Sequence, residues 1–226
     1  WQSMDGKKQW PLKLEKTAFD FAHAPAYELR LVMDKQITAP EDCRAGDADV
    51  GVSAIGIYQQ GRLLQTLKTE ANGSCSFVQP QWVDANFDGW PDLTQSLQLP
   101  AGPNIQHNTW LYLPAKKSFE PAPPELQELT SPAFDGKAQR IYSEWRASCC
   151  SHGIDIYAWK GRKLVNVESD VSYVLPVRQG GKLMGCYQAP LYKAGHVFWP
   201  DALQQTAKGL EMRPVNSENC DIPPEM

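Results

Sequence analysis

The stretch DANFDGWPD at residues 84–92 places three aspartates and one asparagine within nine residues. They stand at positions one, three, five and nine, and Gly89 at position six can take the positive φ that a sharp bend requires. Carboxylates this close together repel one another in a bare turn, and a bound cation removes that repulsion. The pattern therefore predicts a loop that binds a metal ion.

Calcium is the ion that this donor set favours, because calcium takes six to eight oxygen ligands and magnesium requires a tight octahedron. A turn without metal is the alternative, since Asp, Asn and Gly all favour turns. No open coordination position or general base is recognisable beside the loop, so the predicted role of the ion is structural. The expected ligands are the side chains of Asp84, Asn86, Asp88 and Asp92 and the main-chain carbonyl of Trp90, with water completing the shell.

The flanks of this loop indicate strands. Residues 77–83 and 93–99 alternate in the manner of strands. An EF-hand needs a helix on each side and a glutamate at position twelve, where this chain has Gln95. The loop is therefore predicted to join two strands.

The rest of the chain is also divided into short segments that favour strands, because 18 prolines and 16 glycines are spread along it. Segments 57–64 and 156–164 both read as strand, Gly-Arg turn, strand, which is a hairpin pattern. We expect an all-β fold of antiparallel meander strands, β-propeller-like, with disulfides and at most one short helix, at 200–209. The predicted strands are 26–33, 49–58, 63–69, 76–83, 93–99, 109–113, 139–145, 154–159, 163–167 and 182–187.

The 226 residues fit a single β-propeller-like domain, 1–226. A proline-rich segment at 119–131 is a possible exposed connector between halves 1–118 and 132–226, because proline gives no amide donor to a sheet.

Composition limits the partners and the compartment. With 22 Lys and Arg against 26 Asp and Glu, the net charge of -4 argues against nucleic acid and anionic membranes. No segment is apolar enough to span a membrane. The six cysteines, at 43, 75, 149, 150, 186 and 220, lack zinc-site spacing and favour disulfides, whose pairing the sequence leaves open. We expect an exported, periplasmic protein whose signal peptide has been removed.

No catalytic motif is recognisable. The chain has no GxSxG, HExxH or phosphate-binding glycine loop, and its four histidines lie far apart. The aromatic residues favour sheet cores, although a sugar-stacking surface is the alternative use; they are Trp82, Trp90, Trp110, Trp145, Trp159, Trp199, Tyr142 and Tyr157.

Two resemblances follow from these motifs. The loop at 84–92 resembles the calcium loop of the FG-GAP repeat of integrin-type β-propellers, which reads Asp-x-Asp/Asn-x-Asp-Gly-x-x-Asp between strands. The order of GRLLQTL at 61–67, DANFDGWPDL at 84–93, SEWRAS at 143–148 and IYAWKGR at 156–162 resembles bacterial periplasmic immunity proteins. That resemblance implies a calcium-containing, propeller-like fold and inhibition of lysozyme-like or related peptidoglycan-degrading effectors delivered by secretion systems.

The sequence thus leads to a non-enzymatic immunity or inhibitor protein whose partner is a bacterial cell-wall-degrading effector. A polar and aromatic segment at 142–153, expected to be a loop held by its two cysteines, is the predicted partner surface because a rigid loop loses little entropy on binding. A calcium-stiffened adhesion or glycan-binding module is the main alternative, and a secreted enzyme is a third. The predicted partner-binding residues are Tyr142, Glu144, Arg146, His152 and Tyr157.

Overall fold

The fold is described from a computed structural model. It describes residues 3–4, 7–12, 21, 23, 26–34, 49–98, 104–147, 152–174, 178–179, 182–183, 186–193, 196–197 and 212–213, with side-chain surroundings within 21–34, 49–98, 104–147 and 152–170. Contacts between Cα atoms divide the chain into two compact units, Trp1–Leu129 and Thr130–Met226. Each unit is described separately below.

The first unit begins with a five-stranded antiparallel sheet whose strands follow chain order. The longest pair is a hairpin in which β4 and β5 pair from Asp49–Ser74 to Gln59–Arg62. A two-residue turn, Gln60 and Gly61, connects them with φ values of 50° and 77°, as tight hairpins require. The strands are β1 (Ser3–Met4), β2 (Lys7–Leu12), β3 (Glu28–Met33), β4 (Asp49–Gln59) and β5 (Arg62–Ser74).

A second antiparallel sheet of the first unit carries the acidic loop. Its four strands again pair in chain order, and a short helix, α1 (Pro124–Gln127), follows them. The strands are β6 (Gln81–Val83), β7 (Asp92–Ser96), β8 (His107–Leu113) and β9 (Ser118–Pro121).

Apolar side chains from both sheets form the core of the first unit. Leu29, Ile55 and Ile57 come from the first sheet, and Leu93 and Trp110 come from the second. All five are nearly inaccessible to solvent, and burying a side chain of this size contributes about 1.5–3 kcal/mol. The loop between β6 and β7 therefore starts and ends in a sheet that the core holds in place.

The second unit contains a larger antiparallel sheet ordered β10-β11-β12-β13-β16-β17, with β18 paired to β16, and a two-stranded sheet of β14 and β15. The first four strands are β10 (Pro132–Asp135), β11 (Arg140–Arg146), β12 (His152–Lys160) and β13 (Lys163–Val174). The others are β14 (Arg178–Gln179), β15 (Lys182–Leu183), β16 (Cys186–Lys193), β17 (His196–Val197) and β18 (Met212–Arg213).

The predicted all-β class with antiparallel strands is confirmed, and α1 is the one helix within the described part of the chain. Most of the predicted strands are present. The segment 76–83 is an exception: the N–H groups of Phe77 and Val78 donate to the carbonyl of Ser74 at 3.0 and 3.1 Å, and this turn delays the strand to Gln81. The predicted helix at 200–209 lies outside the described residues.

The proline-rich segment at 119–131 is regular structure over much of its length. Pro121 ends β9, an edge strand that can lack an amide donor, and Phe119, Ala122 and Leu126 are buried. Along the chain, the boundary between the two units falls between Leu129 and Thr130. The exposed connector that the prolines predicted is thus largely part of the first unit.

Cys75 is buried and disulfide-bonded. The surroundings of the other five cysteine side chains lie outside the described residues, so the pairing remains a prediction. No helix in the described segments is long and apolar enough to cross a membrane.

Candidate metal-binding loop

The acidic loop connects two strands that pair with each other at the ends of the loop. Val83 at the end of β6 pairs with Asp92 at the start of β7. Between them the chain turns twice through the left-handed region, at Phe87 with φ 59° and at Gly89 with φ 83°. Gly89 is the bend residue that the sequence indicated, whereas the positive φ of Phe87 was not predicted.

The side chains at the first half of the loop accept hydrogen bonds from its own main chain. Asp84 Oδ1 accepts the N–H of Asp88 at 3.0 Å, and Asp84 Oδ2 accepts the N–H of Gly89 at 2.9 Å. Asn86 Oδ1 accepts the same Asp88 N–H at 3.1 Å, and Asp88 Oδ1 accepts the N–H of Trp90 at 2.9 Å. These contacts fold the loop back on itself and direct the side-chain oxygens that make them at its main chain.

Asp92 joins the loop to the neighbouring strand. Its Oδ2 accepts the N–H groups of Ala85 at 2.8 Å and Asn86 at 3.3 Å, and its Oδ1 accepts the N–H of Tyr112 in β8 at 2.8 Å. The side chain is 0% exposed. Asp92 therefore serves as a buried brace of the loop, a role that the spacing of the motif did not reveal.

The Trp90 side chain anchors the outer part of the loop. Its indole stacks on His23 with ring centroids 4.3 Å apart and contacts Tyr112 at 5.3 Å. The N–H of His23 also donates to the carbonyl of Gly89 at 3.2 Å. A segment far away in sequence is thus fastened to the loop, and no local pattern around His23 indicates this contact.

The electrostatics of the loop reflect its crowded carboxylates. Burial raises the pKa of Asp92 to about 7, and the nearby carboxylates of Asp88 and Asp84 act in the same direction. Burial also raises the pKa of Asp84, with a smaller contribution from Asp88. Main-chain N–H groups oppose both shifts. A cation bound here would relieve this cost, because it favours the charged form of each carboxylate.

The donor chemistry of the loop fits a hard cation. A carboxylate or amide oxygen that accepts one hydrogen bond retains a lone pair, so the oxygens of Asp84, Asn86 and Asp88 keep coordinating capacity. At Asp92 only Oδ1 keeps a lone pair for a metal ion, because Oδ2 already accepts two hydrogen bonds. The Trp90 carbonyl would be the main-chain ligand.

Two features of the loop limit this donor set. Within the described residues, no group of three or more His, Cys, Asp or Glu side chains forms a metal site by itself. The set therefore depends on the amide of Asn86 and on a main-chain carbonyl. In addition, Asn86 Nδ2 donates to Asp88 Oδ2 at 2.9 Å, a contact that cation binding would replace.

The predicted partner residues all lie on strands, as the predicted strands 139–145 and 154–159 had already placed Tyr142, Glu144 and Tyr157. The segment 142–153 was expected to be a loop, but β11 extends to Arg146 and β12 begins at His152. Its alternation of buried and exposed positions, in which Ile141 and Ser143 are buried, is that of a strand with one covered face. The cysteines at 149 and 150 lie outside the described residues.

Strand pairing brings four of these partner residues together. Tyr142, Glu144 and Arg146 alternate along β11 and point to one face, and Arg146 pairs with His152 across the ladder. Tyr157 pairs with Ile141 and therefore lies on the other face. Glu144 and Arg146 are exposed.

The other aromatic and histidine side chains considered from the sequence are buried or partly buried where the structure describes them. Trp110 is buried, Trp82 and Trp90 pack against the core of the first unit, and Trp145 and Trp159 are partly buried. Trp199 lies outside the described residues. His107 is partly buried, with Nδ1 3.4 Å from the hydroxyl of Thr94, and burial lowers its pKa to about 4.

Comparison with known proteins gives two similarities. Residues 174–226 match a domain of unknown function (DUF8339), which covers less than half of the chain and does not include the acidic loop. No curated protein matches the chain. Among solved structures, the chain is similar to a Xanthomonas type IV secretion system related protein at 14% identity and a TM-score of 0.50, over 93% of this chain and 100% of that chain. At this identity the similarity is one of fold: an all-β chain of antiparallel sheets shares its architecture with a secretion-system-related protein.

Proposed function

We propose that this chain is an exported immunity or inhibitor protein that binds and blocks a peptidoglycan-degrading effector, lysozyme-like or related. The observation that carries the proposal is the fold similarity to a protein related to a type IV secretion system, which extends over 93% of this chain. The motifs at 61–67, 84–93, 143–148 and 156–162 support the same class through their resemblance to periplasmic immunity proteins.

The proposal includes a structural calcium ion held by Asp84, Asn86, Asp88, the Trp90 carbonyl and Asp92. Its support is the folded-back loop, whose side-chain oxygens accept its own main-chain N–H groups, and the raised pKa values of the buried Asp92 and the partly buried Asp84. When bound, the ion would neutralise these carboxylates and hold β6 and β7 together. A propeller-like arrangement of the sheets is also part of the proposal, supported by the four-stranded meander of β6 to β9.

The proposal assigns no catalysis to the chain itself. The two carboxyl and imidazole groups with large pKa shifts have structural partners: Asp92 accepts three main-chain N–H groups, and His107 faces a threonine hydroxyl. These contacts within the sheet support a structural role for both groups. The periplasm is the proposed compartment, which the disulfide at Cys75 supports because disulfides persist in oxidising compartments.

The face formed by Tyr142, Glu144, Arg146 and His152 is proposed as part of the partner surface. Ile154, which pairs with Glu144, adds an exposed apolar side chain to it. Protein interfaces have an apolar centre and a polar rim. On this face Ile154 would be the apolar centre, and the charged side chains of Glu144 and Arg146 would belong to the rim.

Co-purification tests this function. The tagged protein is isolated from the native periplasm in calcium, its bound proteins are identified, and any hydrolase found is assayed on a peptidoglycan suspension. We expect a cell-wall hydrolase that loses activity at an equimolar ratio, and cells that survive its periplasmic expression only when this chain is co-expressed. Recovery of no hydrolase, together with no protection, contradicts the proposal. Binding to glycans in place of a hydrolase, lost when surface tryptophans are replaced, would support the adhesion alternative.

A further inference from the structure

One short motif of the first unit has no role in the proposed function. Residues 72–74 read Asn-Gly-Ser, which is the N-x-S/T pattern of an asparagine that receives an N-linked glycan, where x is any residue except proline. No other asparagine of the chain has a serine or threonine two residues later; these asparagines are at 86, 104, 108, 166, 216 and 219. The motif therefore indicates a single acceptor, Asn72.

The side chain of Asn72 points to solvent near the end of strand β5. Asn72 and Glu70 are exposed, whereas Ala71 between them is buried. The main chain of Asn72 is held in the sheet, because it pairs with Gly51 of β4 and its N–H donates to the carbonyl of Leu97 at 2.6 Å. The fold thus fixes the backbone here and leaves the side chain outside, as the attachment point of a bulky glycan requires.

The amide nitrogen of Asn72, to which the sugar would be attached, is not used by the fold. Within the described residues, Nδ2 of Asn72 makes no hydrogen bond. The oxygen of the same amide lies over Gly51, 3.1 Å from the position that a Cβ atom of Gly51 would take. A sugar on Nδ2 would therefore displace no hydrogen bond between described residues.

A polar depression lies beside this side chain. Its volume of about 440 Å³ falls in the range of about 300–1,000 Å³ that is usual for ligand sites. At one wall Asp34 Oδ1 accepts the N–H of Gly51 at 2.8 Å, and Oδ2 remains for a ligand. Carboxylate, amide and hydroxyl groups all form hydrogen bonds with sugar hydroxyls, so the first sugars of a glycan fit this depression. Its polar lining includes Asp34, Asp49, Asn72, Ser74 and Gln98.

The neighbours of Asn72 suit recognition by a glycosyltransferase. Gly73 has no side chain beside the acceptor, so the segment can bend while it is unfolded. Glu70 adds an exposed carboxylate two residues before the acceptor, which a cationic side chain of the transferase can bind. Because the main chain of Asn72 is paired in the folded sheet, the transferase must act on the exported chain before the sheet forms.

We propose that Asn72 is an N-glycosylation site whose donor is a sugar chain carried as a lipid-linked diphosphate ester. In the transfer, Asn72 Nδ2 forms a bond to the anomeric carbon of the sugar. The bond from that carbon to the diphosphate oxygen breaks, its electron pair leaves with the diphosphate, and one N–H proton passes to a base of the transferase. The modification requires export of the chain and is independent of the immunity function.

Peptide mass spectrometry of the tagged protein, isolated from its native periplasm, tests the modification. We expect the wild-type peptide that contains Asn72 to carry the additional mass of one or more sugar residues. Asn72→Gln and Ser74→Ala should both lose this mass completely, since each change removes the motif. Ser74→Ala keeps the asparagine in place, so the test does not depend on the folding of Asn72→Gln alone.

Two matched controls keep the motif intact. Ser74→Thr preserves the hydroxyl that the motif requires, and Ser76→Ala removes a neighbouring hydroxyl that lies 3.3 Å from that of Ser74 but is outside the motif. Both variants should retain the additional mass.

The possible outcomes separate this proposal from the immunity function. A wild-type peptide with the unmodified mass of its sequence shows that the proposal is wrong. Additional mass that remains in Asn72→Gln also shows that it is wrong, because the sugar is then on another residue, such as the hydroxyl of Ser74. A glycan on Asn72 in a protein that binds no hydrolase supports the site while the proposed function fails.

Discussion

At the scale of single residues, Asp92 and Asp88 belong to one motif but have different surroundings. Asp92 is buried and accepts three main-chain N–H groups, one of them from β8. Asp88 is exposed, and its contacts stay within the loop. If the loop binds calcium, Asp92 should stabilise the fold with or without the ion, whereas Asp88 should stabilise it only when the ion is bound.

Replacing Asp92 by asparagine is expected to destabilise the fold even in EDTA. The amide nitrogen of asparagine must face at least one main-chain donor that now lacks an acceptor, which costs about 1–3 kcal/mol. The measurement is denaturant unfolding in EDTA. A loss below about 0.5 kcal/mol would contradict the bracing role of Asp92.

The Asp88→Ala variant is expected to lower the melting temperature in calcium and to abolish its dependence on calcium. A ligand that binds only the folded state adds about 2.7 kcal/mol at one hundred times its dissociation constant, and this is what the variant would lose. Scanning calorimetry in calcium and in EDTA measures it, with Asp135→Ala on the second unit as the control. A wild-type melting curve that EDTA does not move would argue that calcium does not stabilise the fold.

His107 is expected to make the protein sensitive to acid. Burial lowers its pKa to about 4, below its usual value near 6.5, so the folded state prefers the neutral ring. Its contribution is fully present above about pH 6.5 and is lost as the pH falls through about 4, by about 1–3 kcal/mol.

Because the raised pKa of Asp92 acts in the opposite direction, the measurement is the difference between wild type and His107→Gln in unfolding free energy at each pH. Glutamine stays neutral and can still reach Thr94. As the pH falls from 6.5 to 4, the unfolding free energy of wild type should fall relative to that of His107→Gln. His152→Gln is the matched control, and its difference from wild type should not change in this way. If the unfolding free energies of wild type and His107→Gln change with pH in parallel, the His107 ring does not cause the sensitivity to acid.

At the scale of elements, much of the first unit follows from local pattern. The hairpin turn at Gln60 and Gly61 and the strand after the acidic loop were predicted, because Gly and alternating side chains report local conformation, whereas the strand before the loop begins five residues later than predicted. The strands β9 and β10 were not, because they begin or end with proline and pair at a sheet edge. The partner segment 142–153 was expected to be a loop because its residues are polar, although one face of a strand is polar whenever it faces solvent.

The contacts that complete the candidate site were beyond local pattern. His23 and Tyr112 each contact the loop from a distant point in the sequence, and only tertiary packing brings them there. No spacing rule identifies such partners in a single sequence.

The Gln65 side chain links strand β5 to strand β9, and replacing it should lower the free energy of unfolding. Gln65→Ala leaves the N–H and the carbonyl of Phe119 without their side-chain partner, and the expected loss is about 1–3 kcal/mol. Denaturant unfolding measures it, with Thr66→Ala, an exposed neighbour on the same strand, as the control. Equal stability of the two variants would show that this clamp contributes nothing.

At the scale of the whole molecule, the acidic loop belongs to one of two compact units. Its braces reach β8 through Tyr112 and the segment near residue 23 through Gly89 and Trp90, all within the first unit. The fold similarity to a secretion-system-related protein, in contrast, extends over 93% of the chain. The effect of calcium should therefore be local even though the architecture is shared along most of the chain.

Hydrogen exchange in the full-length protein tests this locality. At calcium one hundred times the dissociation constant, amides that exchange only through openings that release the ion should slow by about 100-fold. We expect this at 82–96, at 107–113 and near residue 23, where the hydrogen bonds of the loop end. Amides of β11 and β12 in the second unit should exchange at the same rate with and without calcium. In the Asp88→Ala variant the slowing should disappear from the first unit. Equal slowing in both units would show that the ion acts on the whole chain or binds elsewhere, and the loop would then lose its assigned role.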